Sequence, residues 1–184
     1  MAGENKLVGS QPRSARRASP ELLGLSLVVL PVVPGMLLAA GTRWVCDDAF
    51  ISFRYSENLV NGLGLVFSAG ERVEGYTNFL WVMWTALGLR FGADAEVWSM
   101  AWGLIFYGGT IGLLAVYHRR VRRLVGATGP AIPVAAFMAA LHGDWNIWAT
   151  GGLETSVFTF LCVSAYVLLV TAEFRYNRLA LAGG

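Results

Sequence analysis

Long apolar runs divide this chain. Residues 22–40 (LLGLSLVVLPVVPGMLLAA) carry no charge, and at about 1.5 Å of rise per residue such a run approaches the roughly 30 Å of a bilayer's hydrocarbon core. Pro31 and Pro34 read there as a kink, since spanning helices tolerate proline. Residues 97–117 and 156–172 are similar runs, and 130–141 is a shorter one. The pattern predicts an all-α, polytopic membrane helix bundle with about four spanning helices in residues 22–184. The segment 79–89 (FLWVMWTALGL) is ambiguous, because about 10 to 14 apolar residues more often make an interfacial helix than a span.

Charge arbitrates. Lys6, Arg13, Arg16 and Arg17 precede the first run, and Arg119, Arg120, Arg122 and Arg123 follow 97–117. Basic flanks favour the cytoplasm, which predicts a cytoplasmic tail over 1–21 and an even number of crossings between the two clusters, with 79–89 lying along the outer surface. The same rule gives an outer loop over 41–96, a second over 142–155, and Arg175 and Arg178 inside.

Composition agrees with a bilayer: 55% of residues are hydrophobic, 14% are charged, and mean hydropathy is +0.54. The net charge of +2 is accounted for by the cytoplasmic flanks, so no nucleic-acid partner is expected. Cys46 and Cys162 form no metal-binding or redox pattern and are not expected to pair. His142 is a lone imidazole without a companion ligand.

The polar stretch 47–81, DDAFISFRYSENLVNGLGLVFSAGERVEGYTNFLW, holds the candidate chemistry. Asp48 can cap a helix over about Ala49–Val60, stopped by Asn61-Gly62, with Ile51, Tyr55 and Leu59 as its apolar stripe on lipid or bundle. Glycines at 62, 64, 70 and 75 predict short pieces joined by turns that bring Glu71, Arg72 and Glu74 back near the acidic pair. Trp81 and Trp84 suit the headgroup zone.

Adjacent carboxylates at a water boundary suggest catalysis. One of Asp47 and Asp48 can take the proton of an acceptor hydroxyl while the other orients it or joins a metal site; the plain alternative is that Asp48 caps a helix and Asp47 is solvated. Arg54 can hold a phosphate through its rigid fork of donors, or simply pair with Glu57. Glu71 and Glu74 are candidates for sugar hydroxyls, and Tyr55, Tyr76 and Asn78 complete the candidate substrate-binding set, although interfacial anchors use the same residue types. In the second loop, Gly151-Gly152 allows a close turn, and Glu154 either faces the enclosed space or favours the N-terminus of the returning helix.

These residues carry a resemblance. The stretch 47–81, with its aspartate pair, RY, NLVNGLGLVF, GERVEGYT and LW in order, resembles the first outer-loop signature of the polyprenyl-phosphate-sugar-dependent membrane glycosyltransferases of the GT-C superfamily, most closely their terminal arabinofuranosyltransferase-like branch; WATGGLETSVFTFL resembles that branch's second signature. The resemblance implies a GT-C helix bundle in the cytoplasmic (inner) membrane, with juxtamembrane helices in the first outer loop and a site facing outside or the periplasm. It also implies a polyprenyl-phosphate sugar donor, a cell-envelope acceptor, and a catalytic acidic role for Asp47 or Asp48. The sugar, arabinofuranose or mannose among others, is left open. A divalent cation is compatible with an anionic leaving phosphate, but two adjacent aspartates are not a complete coordination set. The chain is shorter than such enzymes, so an N-terminal portion awaiting a C-terminal half or partner subunit is expected. The alternative class is a noncatalytic subunit or glycolipid transporter, which the uncharged runs 22–40 and 97–117 support poorly.

Overall fold

The computed structural model describes residues 20–128 and 131–182, with side chains over 25–128 and 131–173. Almost all of the expected tail 1–21, and the side chains of Arg175 and Arg178, lie outside the described residues. The described chain is all α: α1 (Pro20–Gly41), α2 (Asp47–Val60), α3 (Phe79–Arg90), α4 (Ala95–Leu124), α5 (Val134–Leu141), α6 (Gly143–Trp148) and α7 (Thr155–Ala182).

The organising element is α4, 30 residues long and therefore about 45 Å from end to end. Asp94 caps it by accepting a hydrogen bond from Val97 N at 2.9 Å, satisfying one of the donors that a helix start leaves open. Small residues then let neighbours approach its backbone. A Cβ at Gly108 would stand 2.9 Å from Met36 Sδ, and one at Gly112 would meet Val28 and Val32. These α1 residues descend as the α4 numbers rise, so α1 runs antiparallel to α4 along a small-xxx-small seam. Gly35 on α1 repeats the device, with Ile111 Cδ1 2.9 Å from where its Cβ would be. The core at this seam consists of Ala39, Tyr107, Ile111, Ala115, Ala136, Ala140 and Ala149. Its polar anchor is the buried Tyr107 hydroxyl, within reach of Ala140 O at 3.2 Å and of Asn146 Oδ1.

The expectation of about four spanning helices is corrected. Among the described residues two helices are long and apolar enough to cross a membrane, Ala95–Leu124 and Thr155–Glu173. The run at 130–141 becomes an α5 of 8 residues, about 12 Å, because Pro133 opens it and the chain leaves helical geometry at His142 before α6. The described part of α1 that the run 22–40 foreshadowed is the shorter apolar helix Leu25–Gly41. The segment 79–89 does form a short helix, α3, of 12 residues. Only 11% of the apolar window of Thr155–Glu173 is buried inside the protein. A helix that apolar and that uncovered is consistent with a lipid surround, as are the exposed Leu25, Leu30, Leu37, Leu168 and Leu169.

Candidate functional site

Helix α2 begins two residues earlier than its sequence suggests, and a long-range contact is the reason. Cys46 N donates to Gly151 O at 2.9 Å, and Ala49 N returns to Cys46 O at 3.0 Å. Cys46, with φ −73° and ψ 145°, becomes the N-cap and makes no side-chain cap bond. Asp47 and Asp48 therefore occupy the first turn, both exposed, where the helix dipole favours carboxylates. The capping role expected of Asp48 is thus replaced.

Adjacent helical residues point about 100° apart, so the two aspartates serve different faces. Asp48 shares a face with Ser52, one turn on, and Asp47 shares one with Ile51 and Arg54. The Ser52 face carries a polar seam. Asn78 Nδ2 donates to Glu154 Oε2 at 2.9 Å and to Ser52 Oγ at 3.1 Å, while Ser52 Oγ lies 3.2 Å from Asn78 Oδ1. Three separate parts of the chain meet there: α2, the segment entering α3, and the residue preceding α7. Glu154 immediately precedes α7 rather than lying in its first turn, and its carboxylate is engaged by Asn78.

The seam is held by the second loop's backbone. Trp81 Nε1 donates to Gly152 O at 2.9 Å, Trp44 Nε1 donates to Ile147 O at 3.0 Å, and Trp44 N lies 3.3 Å from Thr150 Oγ1. Gly152 has φ +85°, and a Cβ on it would stand 2.8 Å from Ala49 Cβ, so this close approach requires glycine. Trp81 is 4% exposed: it is a core residue here, not the headgroup anchor its composition suggested. Trp84 packs against Trp98 and Trp102, with ring centroids 5.7 and 4.9 Å away.

Of the expected stripe Ile51, Tyr55 and Leu59, on lipid or bundle, Tyr55 is buried, Leu59 half-buried and Ile51 exposed. Helix α2 buries Ala49, Ser52, Phe53, Tyr55, Ser56 and Asn58 and leaves Phe50 and Ile51 exposed. Ser56 Oγ lies 2.8 Å from Ser52 O and 2.9 Å from Val82 O, hydrogen-bonding α2 to α3. Asn58 Nδ2 donates to Val66 O at 2.7 Å and Phe67 O at 2.9 Å. The Tyr55 hydroxyl donates to Val73 O at 2.7 Å and accepts from Gly75 N at 3.0 Å. Tyr55 is 1% exposed, so its hydroxyl is committed to holding the loop. Sequence periodicity did not single out Ser52, Ser56, Asn58 or Trp81; the readable signal was the pair of small hydroxyls one turn apart.

Of the remaining candidates, Arg54 is exposed, donates from Nε to Phe67 O at 3.3 Å and lies 3.7 Å from Glu57. Tyr76 packs edge-on against Tyr55 with centroids 4.7 Å apart. The loop's described contacts reach Arg54, Tyr55 and Asn58, and Tyr55 lies about 12 Å of helix rise from Asp47. Glu71 and Glu74 are exposed and make no described contact with the aspartates. Glu74 lines an open cavity of about 400 Å³ bordered by the loop. No group of three His, Cys, Asp or Glu side chains able to hold a metal ion is found among the described residues. Two diverging aspartates with no third converging ligand among the described residues do not make a coordination set.

No family model matches the chain, and no solved structure does. Two curated proteins do. The terminal beta-(1->2)-arabinofuranosyltransferase of Corynebacterium glutamicum is 31% identical over 169 residues, covering 88% of this chain and 24% of that protein. The enzyme of the same name from Mycobacterium tuberculosis is 29% identical over 119 residues, covering 62% of this chain and 19% of its own length. The chain therefore spans about a quarter or less of the length of the curated relatives it matches. It is a distant homologue of the terminal arabinofuranosyltransferases, with a helical architecture consistent with a membrane protein.

Proposed function

We propose that this chain carries the catalytic carboxylates of a membrane glycosyltransferase that moves a sugar, of the arabinofuranosyl class named for its relatives, from a polyprenyl-phosphate donor to a hydroxyl of a cell-envelope acceptor. The observation that carries this reading is the convergence of three parts of the chain on α2, where Ser52, Asn78 and Glu154 meet in one polar seam a turn from Asp48. One aspartate takes the acceptor proton as the oxygen attacks the anomeric carbon; the bond from that carbon to the phosphate oxygen breaks, and the electron pair leaves with the lipid phosphate. Asp48 works beside the Ser52–Asn78–Glu154 seam. Asp47 shares its face with Arg54, about 10 Å along the helix, where a guanidinium can receive the departing phosphate.

The site faces away from the cytoplasm. Ala95 at the start of α4 packs with Ala49 and Phe53 of α2, whereas Arg119 to Arg123 stand at least 24 residues further on, about 36 Å along the same helix. With that basic cluster on the cytoplasmic side, the aspartates lie on the other.

Incubation with a labelled polyprenyl-phosphate sugar tests the reading. Protein-dependent release of lipid phosphate with formation of a new glycoside is the expected result. Movement of intact donor across vesicles without bond cleavage identifies a carrier and contradicts it.

A further inference from the structure

The cavity of about 400 Å³ beside α2 takes no part in the chemistry above. Its walls combine Leu63, Val66 and Val73 with Arg72, Glu74 and Tyr76. We infer that it is an acceptor subsite: it binds a neutral sugar unit of the acceptor glycan, set apart from the aspartates that act on the terminal hydroxyl. This rests on the glycosyl-transfer reading and adds where the acceptor is held.

Three features choose a sugar. The cavity is built before any ligand arrives, because Tyr55 pins Val73 and Gly75 while Asn58 pins Val66 and Phe67, and Gly64 and Gly70 turn the loop with φ of +88° each. Preorganised walls reduce the ordering cost of a weak, polar ligand. Its charge is balanced, one guanidinium against one carboxylate, and neither Arg72 nor Glu74 makes an ion pair or hydrogen bond among the described residues. A phosphate would gain the arginine but meet the glutamate, whereas a polyol can accept from one and donate to the other. Finally, Tyr76 is fixed by Tyr55 and Phe79, at centroid distances of 4.7 and 6.4 Å, and with the apolar wall offers a surface to the C–H face of a sugar ring. The size suits one or two such rings, since small-ligand pockets begin near ~300 Å³.

The position suits an acceptor as well. Tyr76 stands two residues, at most about 7 Å of chain, from Asn78 of the polar seam. A glycan seated in the cavity can therefore extend one further unit toward the head of α2.

The test is direct binding of the methyl glycoside of an arabinofuranosyl disaccharide to the protein in lipid nanodiscs, followed by saturation-transfer NMR and needing no turnover. The expected result is saturable binding that weakens about tenfold in Arg72→Gln, Glu74→Gln and Tyr76→Leu, and is unchanged in Arg90→Gln, an exposed residue at the end of α3 outside the cavity. Polyprenyl phosphate should not compete. Absence of saturable binding, equal binding by the three cavity variants, or displacement by polyprenyl phosphate overturns the subsite. Binding loss without loss of fold is checked with Arg72→Lys, which keeps a cation and should retain at least half of the affinity; an equally large loss there also counts against it. Failure of the subsite leaves donor cleavage by the aspartates standing, because that is read in a separate assay.

Discussion

The two packed regions of this protein are cemented differently. Around the middle of α4 the interface with α1 and α5 is made of alanines and glycines, with Tyr107 as its buried polar anchor. Around α2 the buried face is polar: Ser52, Ser56 and Asn58 are 3%, 0% and 2% exposed, and each is hydrogen-bonded to another segment. Helices that meet in lipid gain little from burying apolar surface and rely on close backbone contact. A helix that carries loops has them to fix, and directional bonds fix them better than packing does. The second region has the features expected of a site, and the first holds it in place.

The comparison predicts unequal failures. Gly103→Val should be the most damaging, because even a first carbon at position 103 would overlap the carbonyl of Ala149. A loss of about 3 kcal/mol or more is expected, read as a lowered midpoint of thermal unfolding in detergent. Gly152→Ala strikes the other region, through positive φ and the approach to Ala49. It should cost on the order of 2 kcal/mol, with local protease cleavage between 142 and 155 preceding global unfolding. If both variants unfold globally at the same midpoint, the two regions are one cooperative unit.

Replacing the seam's amide by a carboxylate sharpens the contrast. Asn78→Asp sets a second negative charge against Glu154, removes the donor of the 2.9 Å bond, and should destabilise by about 1–3 kcal/mol. Lowering the pH should then restore part of the loss: a carboxyl facing a carboxylate has its pKa raised above the unfolded value, so its penalty disappears as it is protonated. A melting midpoint independent of pH between 4 and 7 in this variant would contradict the Asn78–Glu154 contact.

Much of this was legible from sequence, unevenly. The short helix at 79–89 emerged with nearly the expected bounds, because its ends are local: Asn78 begins it and Phe91-Gly92 ends it. The C-terminal end of α2 at Val60 followed from Asn61-Gly62. Its start did not, because Cys46 is bound to Gly151, 105 positions away. Periodicity placed Ile51, Tyr55 and Leu59 on one apolar stripe, on lipid or bundle, and missed that hydrogen bonds to the loop and to α3 turn Ser52, Ser56 and Asn58 inward. The crossing count failed for a related reason: an apolar run does not reveal that Pro133 and His142 limit its helix to 8 residues.

Smaller effects are expected where a single polar contact is lost away from the seam. Tyr55→Phe removes one hydroxyl shared between Val73 and Gly75, and should cost about 1–2 kcal/mol, seen as faster amide exchange at Gly75 with little change in the global midpoint. Glu57→Gln removes only the exposed 3.7 Å pair with Arg54 and should change stability by less than about 0.5 kcal/mol.

The central claim is that the head of α2 is where the sugar is transferred. Asp47→Asn and Asp48→Asn, assayed separately with labelled polyprenyl-phosphate sugar at matched expression, test it most directly. General-base loss is expected to slow turnover by about 10²–10⁴-fold in at least one of them, with the midpoint of unfolding little changed because both side chains are exposed and lose only a helix-dipole interaction of about 1 kcal/mol or less. Near-normal turnover in both variants would contradict the account.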